Sequence, residues 1–218
     1  MDILIHKRHA LLADTNGYII VDTGSPASFH KDGSITINGQ QHACAQSILM
    51  MSYDDLSQQL ELPIVGLLGM DIMGQYDVLF DYPNSRIEFD YQGSQGISLN
   101  AQIVMGIPTI PITIEGELMQ CFLDSGAPTS YVNSHLTKHL SAIETREDFY
   151  PEIGTFSTPI YALSAQVADL SFDAQFGNLP FLMEASLSLA NSNGIIGYDL
   201  FSRCSILIAG GNVYLQSK

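Results

Sequence analysis

The chain carries the same pattern twice, and that repeat limits its possible folds more than any other feature. In the first half, LLADTNGYIIVDTGSPAS turns at Asn16-Gly17 and runs through Tyr18 to Val21 into Asp22-Thr23-Gly24-Ser25-Pro26. In the second, IPITIEGELMQCFLDSGAPTS turns near Glu115-Gly116 and runs through Cys121 to Leu123 into Asp124-Ser125-Gly126-Ala127-Pro128. Turn residues between apolar runs signal a hairpin, so each half delivers an apolar strand that ends on Asp-Thr/Ser-Gly. A second block follows in each half: Gly66-Leu67-Leu68-Gly69-Met70-Asp71-Ile72-Met73 aligns without a gap with Gly194-Ile195-Ile196-Gly197-Tyr198-Asp199-Leu200-Phe201. Both blocks lead into an apolar strand (Asp77 to Phe80; Ser205 to Ile208), a turn and a last strand (Arg86 to Phe89; Val213 to Gln216). Shared features in the same order point to two equivalent units.

The stretch Gly93 to Gln102, with Gly93, Ser94, Gly96, Ser98 and Asn100, is the natural junction. It gives an N-terminal lobe over 1–95, a linker over 96–102 and a C-terminal lobe over 103–218. Short strands broken by Gly, Pro and Asn predict a mainly β chain. Helices are expected over Asp54 to Leu60 after Ser52, over Ser134 to Leu140 after Asn133, and for a turn or two after each Gly-x-x-Gly block. At 218 residues, 46% hydrophobic and 14% charged, the chain has ample material for a core. Eight Lys and Arg against 23 Asp and Glu leave a net charge of −15, which argues against a nucleic-acid partner. No apolar run approaches the roughly 18 residues of a membrane span, and MDILIHKRHALLAD is too short in apolar residues for a signal peptide. A cytoplasmic monomer is expected, with no membrane contact. Cys44, Cys121 and Cys204 show no CxxC spacing and read as buried reduced thiols.

The two Asp loops, each with a downstream apolar-apolar-Gly element (Leu67-Leu68-Gly69; Ile195-Ile196-Gly197), resemble those of the aspartic peptidases. The resemblance covers nearly the whole chain, as two retropepsin-like units joined as in the bilobal pepsin-like enzymes, in a much smaller chain. A lone Asp-Thr-Gly is a weak signal, whereas two copies with matching downstream partners are specific. The resemblance implies a mainly β, bilobal acid-protease (pepsin/retropepsin-like) closed-barrel fold with internal duplication and a few short helices. It implies an endopeptidase in which Asp22 and Asp124 activate a water, supported by Thr23, Gly24, Ser25, Ser125, Gly126 and Ala127. Two adjacent carboxylates cannot both ionise cheaply, so they share a proton, one acting as base and the other as acid. By the same resemblance Thr23 and Ser125 cross-bond between the lobes, while Gly24 and Gly126 let backbone approach the carboxylates. A polypeptide substrate and statine-type inhibitors are the expected ligands, and no cofactor or metal is expected. The alternative is a catalytically silent retropepsin-like module that binds peptide or protein, or a peptidase too selective for generic substrates.

Other polar residues read more plainly. Asp14-Thr15-Asn16-Gly17 is a hairpin turn, and Asp71 and Asp199 cap short helices. His135 and His139 have i, i+4 spacing but no third ligand, so they belong to a solvated face. His6, His9, His30 and His42 suggest no role. A glycosidase carboxylate pair fits poorly with two symmetric loops. The stretch between the Asp loop and the later Gly block is longer in the second half, with Glu147 to Ser164 spare and a turn near Gly154. This predicts one flap from the C-terminal half, the first half keeping only a hairpin around Ile35 to Ala43 that turns at Asn38-Gly39. Ser25 carries a hydroxyl that Ala127 lacks. If that hydroxyl bonds the Asp22 carboxylate, its absence beside Asp124 predicts a less acidic optimum than pepsin's.

Overall fold

In the computed structural model, which describes residues 1–47, 52–150 and 154–216, strand Ile3–His6 pairs antiparallel with His9–Asp14, which forms the expected hairpin with Gly17–Val21. Asp14 faces Gly17 in the register, so Thr15 and Asn16 make the turn. Gly17–Val21 then runs parallel to Ile64–Leu68, which pairs antiparallel with Phe29–His30. Every residue of Ile64–Leu68 is buried, and a strand covered on both faces reads as an unbroken apolar run rather than an alternating one. The second half follows the same order of pairings. Strands Ile107–Ile114 and Glu117–Leu123 form a hairpin, Glu117–Leu123 runs parallel to Gly194–Ile196, and Gly194–Ile196 pairs antiparallel with Ser130–Val132. The Asp22 N–H bonds to the Leu68 carbonyl and the Asp124 N–H to the Ile196 carbonyl, both at 3.0 Å. Each aspartate is thereby fixed where its strand ends beside the end of a buried parallel neighbour.

A five-stranded sheet closes the underside. Val78–Asp81 and Arg86–Phe89 from the first half pair through Val78–Asp81 with Ile206–Ala209, which continues to Asn212–Leu215 and then to Ile97–Ser98 near the junction. One buried cluster crosses from half to half, joining Val21, Leu68 and Phe80 to Leu123, Ile196 and Phe201. Phe80 meets Phe201 edge-on with ring centroids 5.6 Å apart. The chain is mainly β with a few short helices, as expected. No helix among the described residues is long and apolar enough to cross a membrane.

Helix Tyr53–Leu60 forms where the sequence predicts it. The Ser52 hydroxyl accepts from the Asp55 N–H at 3.2 Å and donates to its carboxylate at 2.7 Å, while Leu56 and Leu60 are buried. Helices Met70–Met73 and Tyr198–Phe201 follow the two Gly blocks. The expected helix over Ser134 to Leu140 is reduced to one 3₁₀ turn, Ser134–Leu136. Of those residues only Thr137 is buried and Leu136 partly so, and a helix that short is not sustained by propensity alone. Helix Phe181–Leu189 is an unexpected element. FLMEASLSL crowds its apolar residues together instead of spacing them by three and four, and only Met183 is buried.

The spare sequence of the second half builds a long hairpin, Glu144–Tyr150 against Gly154–Val167, with Tyr150 facing Gly154. Its turn lies outside the described residues. The first-half hairpin, Ser34–Ile37 against Gln40–Ala43, turns at Asn38-Gly39 and buries Ile35 and Ile37 in the main core. It packs downward and contributes no residue to the cavity above the aspartates.

Candidate active site

The two Asp loops meet back to back. The Thr23 N–H donates to the Ser125 hydroxyl at 3.0 Å and the Ser125 N–H to the Thr23 hydroxyl at 2.9 Å. Each hydroxyl donates in turn to a carbonyl of the opposite strand, Thr23 to Leu123 at 2.7 Å and Ser125 to Val21 at 3.0 Å. Both residues are fully buried, and both hydroxyls and both N–H groups are paired within the brace.

Above the brace, the Asp22 Oδ1 accepts from the N–H groups of Gly24 at 2.8 Å and Ser25 at 3.0 Å. The Asp124 Oδ1 accepts from the Gly126 N–H at 2.8 Å, and the Ala127 N–H also holds that carboxyl. A methyl group on Gly24 would sit 2.2 Å from the Asp124 carboxyl carbon, and one on Gly126 would sit 2.4 Å from that of Asp22. Each glycine therefore leaves room for the opposite carboxyl, and any side chain there would force the pair apart.

The carboxyls hydrogen-bond one another. Burial raises the pKa of both, and the charge of Asp22 raises that of Asp124 further. The bonds that Asp22 accepts from Asp124, Gly24 and Ser25 act against that rise, as do those that Asp124 accepts from Gly126 and Ala127. The pair takes up and releases protons as a unit.

One expectation needs correcting. The Ser25 hydroxyl does not reach a carboxylate; it donates to the Ala27 carbonyl at 2.8 Å, and only its backbone N–H meets Asp22. Backbone N–H groups serve both carboxyls, so replacing Ser by Ala at position 127 removes no bond from the pair. Nothing at positions 25 and 127 therefore makes the optimum less acidic.

Beneath each loop a Ser hydroxyl links the Gly block to its Asp. Gly69 N–H donates to Ser28 at 2.8 Å and Ser28 to Asp71, whose carboxylate also accepts from the Ile72 N–H. Gly197 N–H donates to Ser130 at 3.2 Å and Ser130 to Asp199 at 3.3 Å. Neither aspartate is the cap expected of it: Gly69 and Gly197 hold the cap positions, Asp71 lies in the first turn of its helix, and Asp199 is buried and tied to Arg8. His135 lies exposed against Asn133 and Glu117, and no metal-binding group is present among the described residues. The three cysteines form no disulfide, and burial pushes the Cys121 thiol up to about 12.

The aspartates floor a cavity of about 250 Å³. Ile20, Leu56 and Leu67 wall one side; Tyr131, Met183 and Ile195 wall the other, with Phe149 and Tyr150 of the long hairpin above. The Tyr131 hydroxyl donates to Asp148, tying that hairpin to the cleft wall. A second cavity of about 680 Å³ adjoins the first and shares His9, Gln59, Pro128, Asp148 and Phe149 with it. Burial lowers the His9 pKa to about 4, and the buried Nδ1 of its ring has no hydrogen-bond partner among the described residues. His9, Tyr131, Asp148 and Met183 all carry no local sequence signal, since each reaches the cleft by contacts distant along the chain.

No family model matches the chain, and no curated protein matches it. Among solved structures it is similar to the protease of Simian Foamy Virus (mac), at 16% identity over 42% of this chain and 88% of that one, with a TM-score of 0.32. It is also similar to the retroviral protease-like domain of Ddi1 from Leishmania major, at 17% identity over 53% of this chain and 95% of that one, with a TM-score of 0.30.

Proposed function

We propose that the chain is an aspartic-type endopeptidase of retropepsin-like architecture, formed from two duplicated units and complete as a monomer. The observation that carries this reading is the pair Asp22 and Asp124: two hydrogen-bonded carboxyls, each held by backbone N–H groups, on loops cross-braced by Thr23 and Ser125. In the reaction, ionised Asp22 takes a proton from a water whose oxygen attacks the substrate carbonyl carbon. Protonated Asp124 gives its proton to the carbonyl oxygen, leaving a neutral tetrahedral diol. The amide nitrogen is then protonated by the pair and the C–N bond breaks, so no covalent enzyme intermediate forms. Phe149 and Tyr150 cover the reacting groups from one side, which supports exclusion of bulk water.

The test is hydrolysis of a diverse peptide library by the wild type, Asp22→Asn and Asp124→Asn, with cleavage products read by mass spectrometry. Cleavage by the wild type that each variant loses, with the fold intact by circular dichroism, supports the reading. Equal cleavage by all three overturns it. The silent binding module draws support from the first-half hairpin, which packs into the core and leaves the cleft with a cover from one half; tight peptide binding without cleavage by the wild type would favour it.

A further inference from the structure

We infer that Tyr131 is a positioning residue for the reaction: through Asp148 its hydroxyl holds Phe149 and Tyr150 over the aspartates, an inference that rests on the peptidase reading above. Tyr131 is itself firmly placed. Its strand, Ser130–Val132, lies between Gly194–Ile196 and Leu170–Asn178 in an eight-stranded sheet, and its ring is buried with Phe122, Met183 and Ile195. Strand Glu144–Tyr150, by contrast, is the outermost of that sheet and pairs with Gly154–Val167. An edge strand opens locally more easily than an inner one, so side-chain ties decide where it stands. Arg146 supplies one tie, donating to Gln175 at 2.7 Å. Asp148 supplies another beside Phe149 and Tyr150, accepting from the Tyr131 hydroxyl and the Phe149 N–H. Burial and the charge of Asp148 keep the Tyr131 phenol protonated, so it remains the donor.

The internal repeat shows what this hydroxyl adds. Ser28-Phe29 and Ser130-Tyr131 stand at the same distance after Asp22 and Asp124, and each Ser hydroxyl accepts from the second Gly of its block. Phe29 pairs across the sheet with Leu67 as Tyr131 does with Ile195, the matching residue of the other block. The two rings therefore occupy equivalent places and differ by one oxygen. In the first half, Phe29 packs with Leu56 and Leu60 of helix Tyr53–Leu60, and the hairpin of that half buries Ile35 and Ile37 in the main core. In the second half, the ring stands beside Phe156 of the long hairpin, with centroids 6.2 Å apart, and the hydroxyl bonds to the strand that covers the aspartates. A cover held in place before substrate arrives spares binding the cost of ordering it. The tie therefore acts on affinity more than on the bond-breaking step.

The experiment starts from Tyr131→Phe, which removes the oxygen alone; Phe29 shows that the fold accepts a phenylalanine in the equivalent place. Hydrogen exchange read by mass spectrometry should quicken about tenfold across Glu144–Tyr150 and stay unchanged across residues 21–25. For a peptide that the wild type cleaves, KM should rise about tenfold with kcat kept within about twofold, a split that a general loss of stability does not produce. Asp148→Ala should match Tyr131→Phe in exchange, and the double variant should be no worse than either. Asp148→Asn, whose amide oxygen still accepts from the hydroxyl, should stay near the wild type. Unchanged exchange or unchanged KM in Tyr131→Phe, or additive effects of Tyr131→Phe and Asp148→Ala, overturn the inference while leaving the peptidase reading intact. If Tyr131→Phe does not fold, Asp148→Ala set against Asp148→Asn reads the same tie. If the wild type neither cleaves nor binds peptide, the peptidase reading falls by itself, and exchange still decides whether Tyr131 holds the hairpin.

Discussion

The guanidinium of Arg8 lies 3.2 Å from the buried carboxylate of Asp199, a partner distant along the chain. It also donates to the Pro128 carbonyl at 2.9 Å and rests over the Tyr198 ring. One side chain from the start of the first half therefore holds the Asp124 loop and the helix beneath it.

Removing that cation leaves a buried carboxylate and a carbonyl without their donor. Arg8→Met is expected to destabilise the fold by about 2–4 kcal/mol, because breaking a buried pair from one side costs more than the pair contributes. Asp199→Asn in the same chain should recover about half of that loss. Urea unfolding of the two single variants and the double measures the coupling, and additive effects would show that the two residues do not act together.

The brace under the aspartates makes a prediction that runs against side-chain volume. Thr23→Val preserves shape but leaves the Ser125 N–H without an acceptor and the Leu123 carbonyl without its donor, at a cost of about 2–4 kcal/mol. Thr23→Ser removes only a methyl and should cost about 1 kcal/mol. Ser125, in the equivalent place, already shows that a serine can serve there. Thermal melts in which the valine variant equals or exceeds the serine variant would refute the role given to these bonds.

What could be read from the residues alone was the part written locally and twice. The Asp loops, the Gly blocks and the strands around them follow from apolar runs and turns, and the structure places them in matching pairings. Helix Phe181–Leu189 was not legible, because its crowded apolar residues give no helical period and it contributes Met183 to the cleft by tertiary packing. His9 was not legible either, since nothing beside it in the chain indicates that it lines the cavity over the aspartates. The Ser25 hydroxyl misled for a different reason. A serine next to a carboxylate loop has several acceptors within reach, and only coordinates show that it chooses the Ala27 carbonyl.

That choice has a measurable consequence. Ser25→Ala should leave the pH dependence of peptide cleavage unchanged to within about 0.2 pH, while costing about 1 kcal/mol of stability for the lost bond to Ala27. Ala127→Ser should likewise leave the profile in place. Initial rates between about pH 3 and pH 8 decide, and opposite displacements by the two variants would restore a direct bond from position 25 to the carboxylate.

The pair of aspartates also sets how stability depends on pH. Burial holds both carboxyl pKa values above those of the unfolded chain, so across the range between the two the native state keeps protons that the unfolded state has released. Stability contributed by the pair is therefore full below the unfolded value near pH 4 and is lost as pH rises through the native value, each tenfold difference in proton affinity costing about 1.4 kcal/mol. Asp124→Asn replaces one of the two carboxyls with a neutral amide that can donate a hydrogen bond to Asp22 and has no proton to lose. The variant should therefore gain stability over the wild type as pH rises from 4 to 7, with the two close together at pH 4. Calorimetric melts at both values measure it; a gap that stays constant, or that narrows toward pH 7, would mean that the Asp124 carboxyl ionises as readily in the native protein as in the unfolded chain and that no proton is shared.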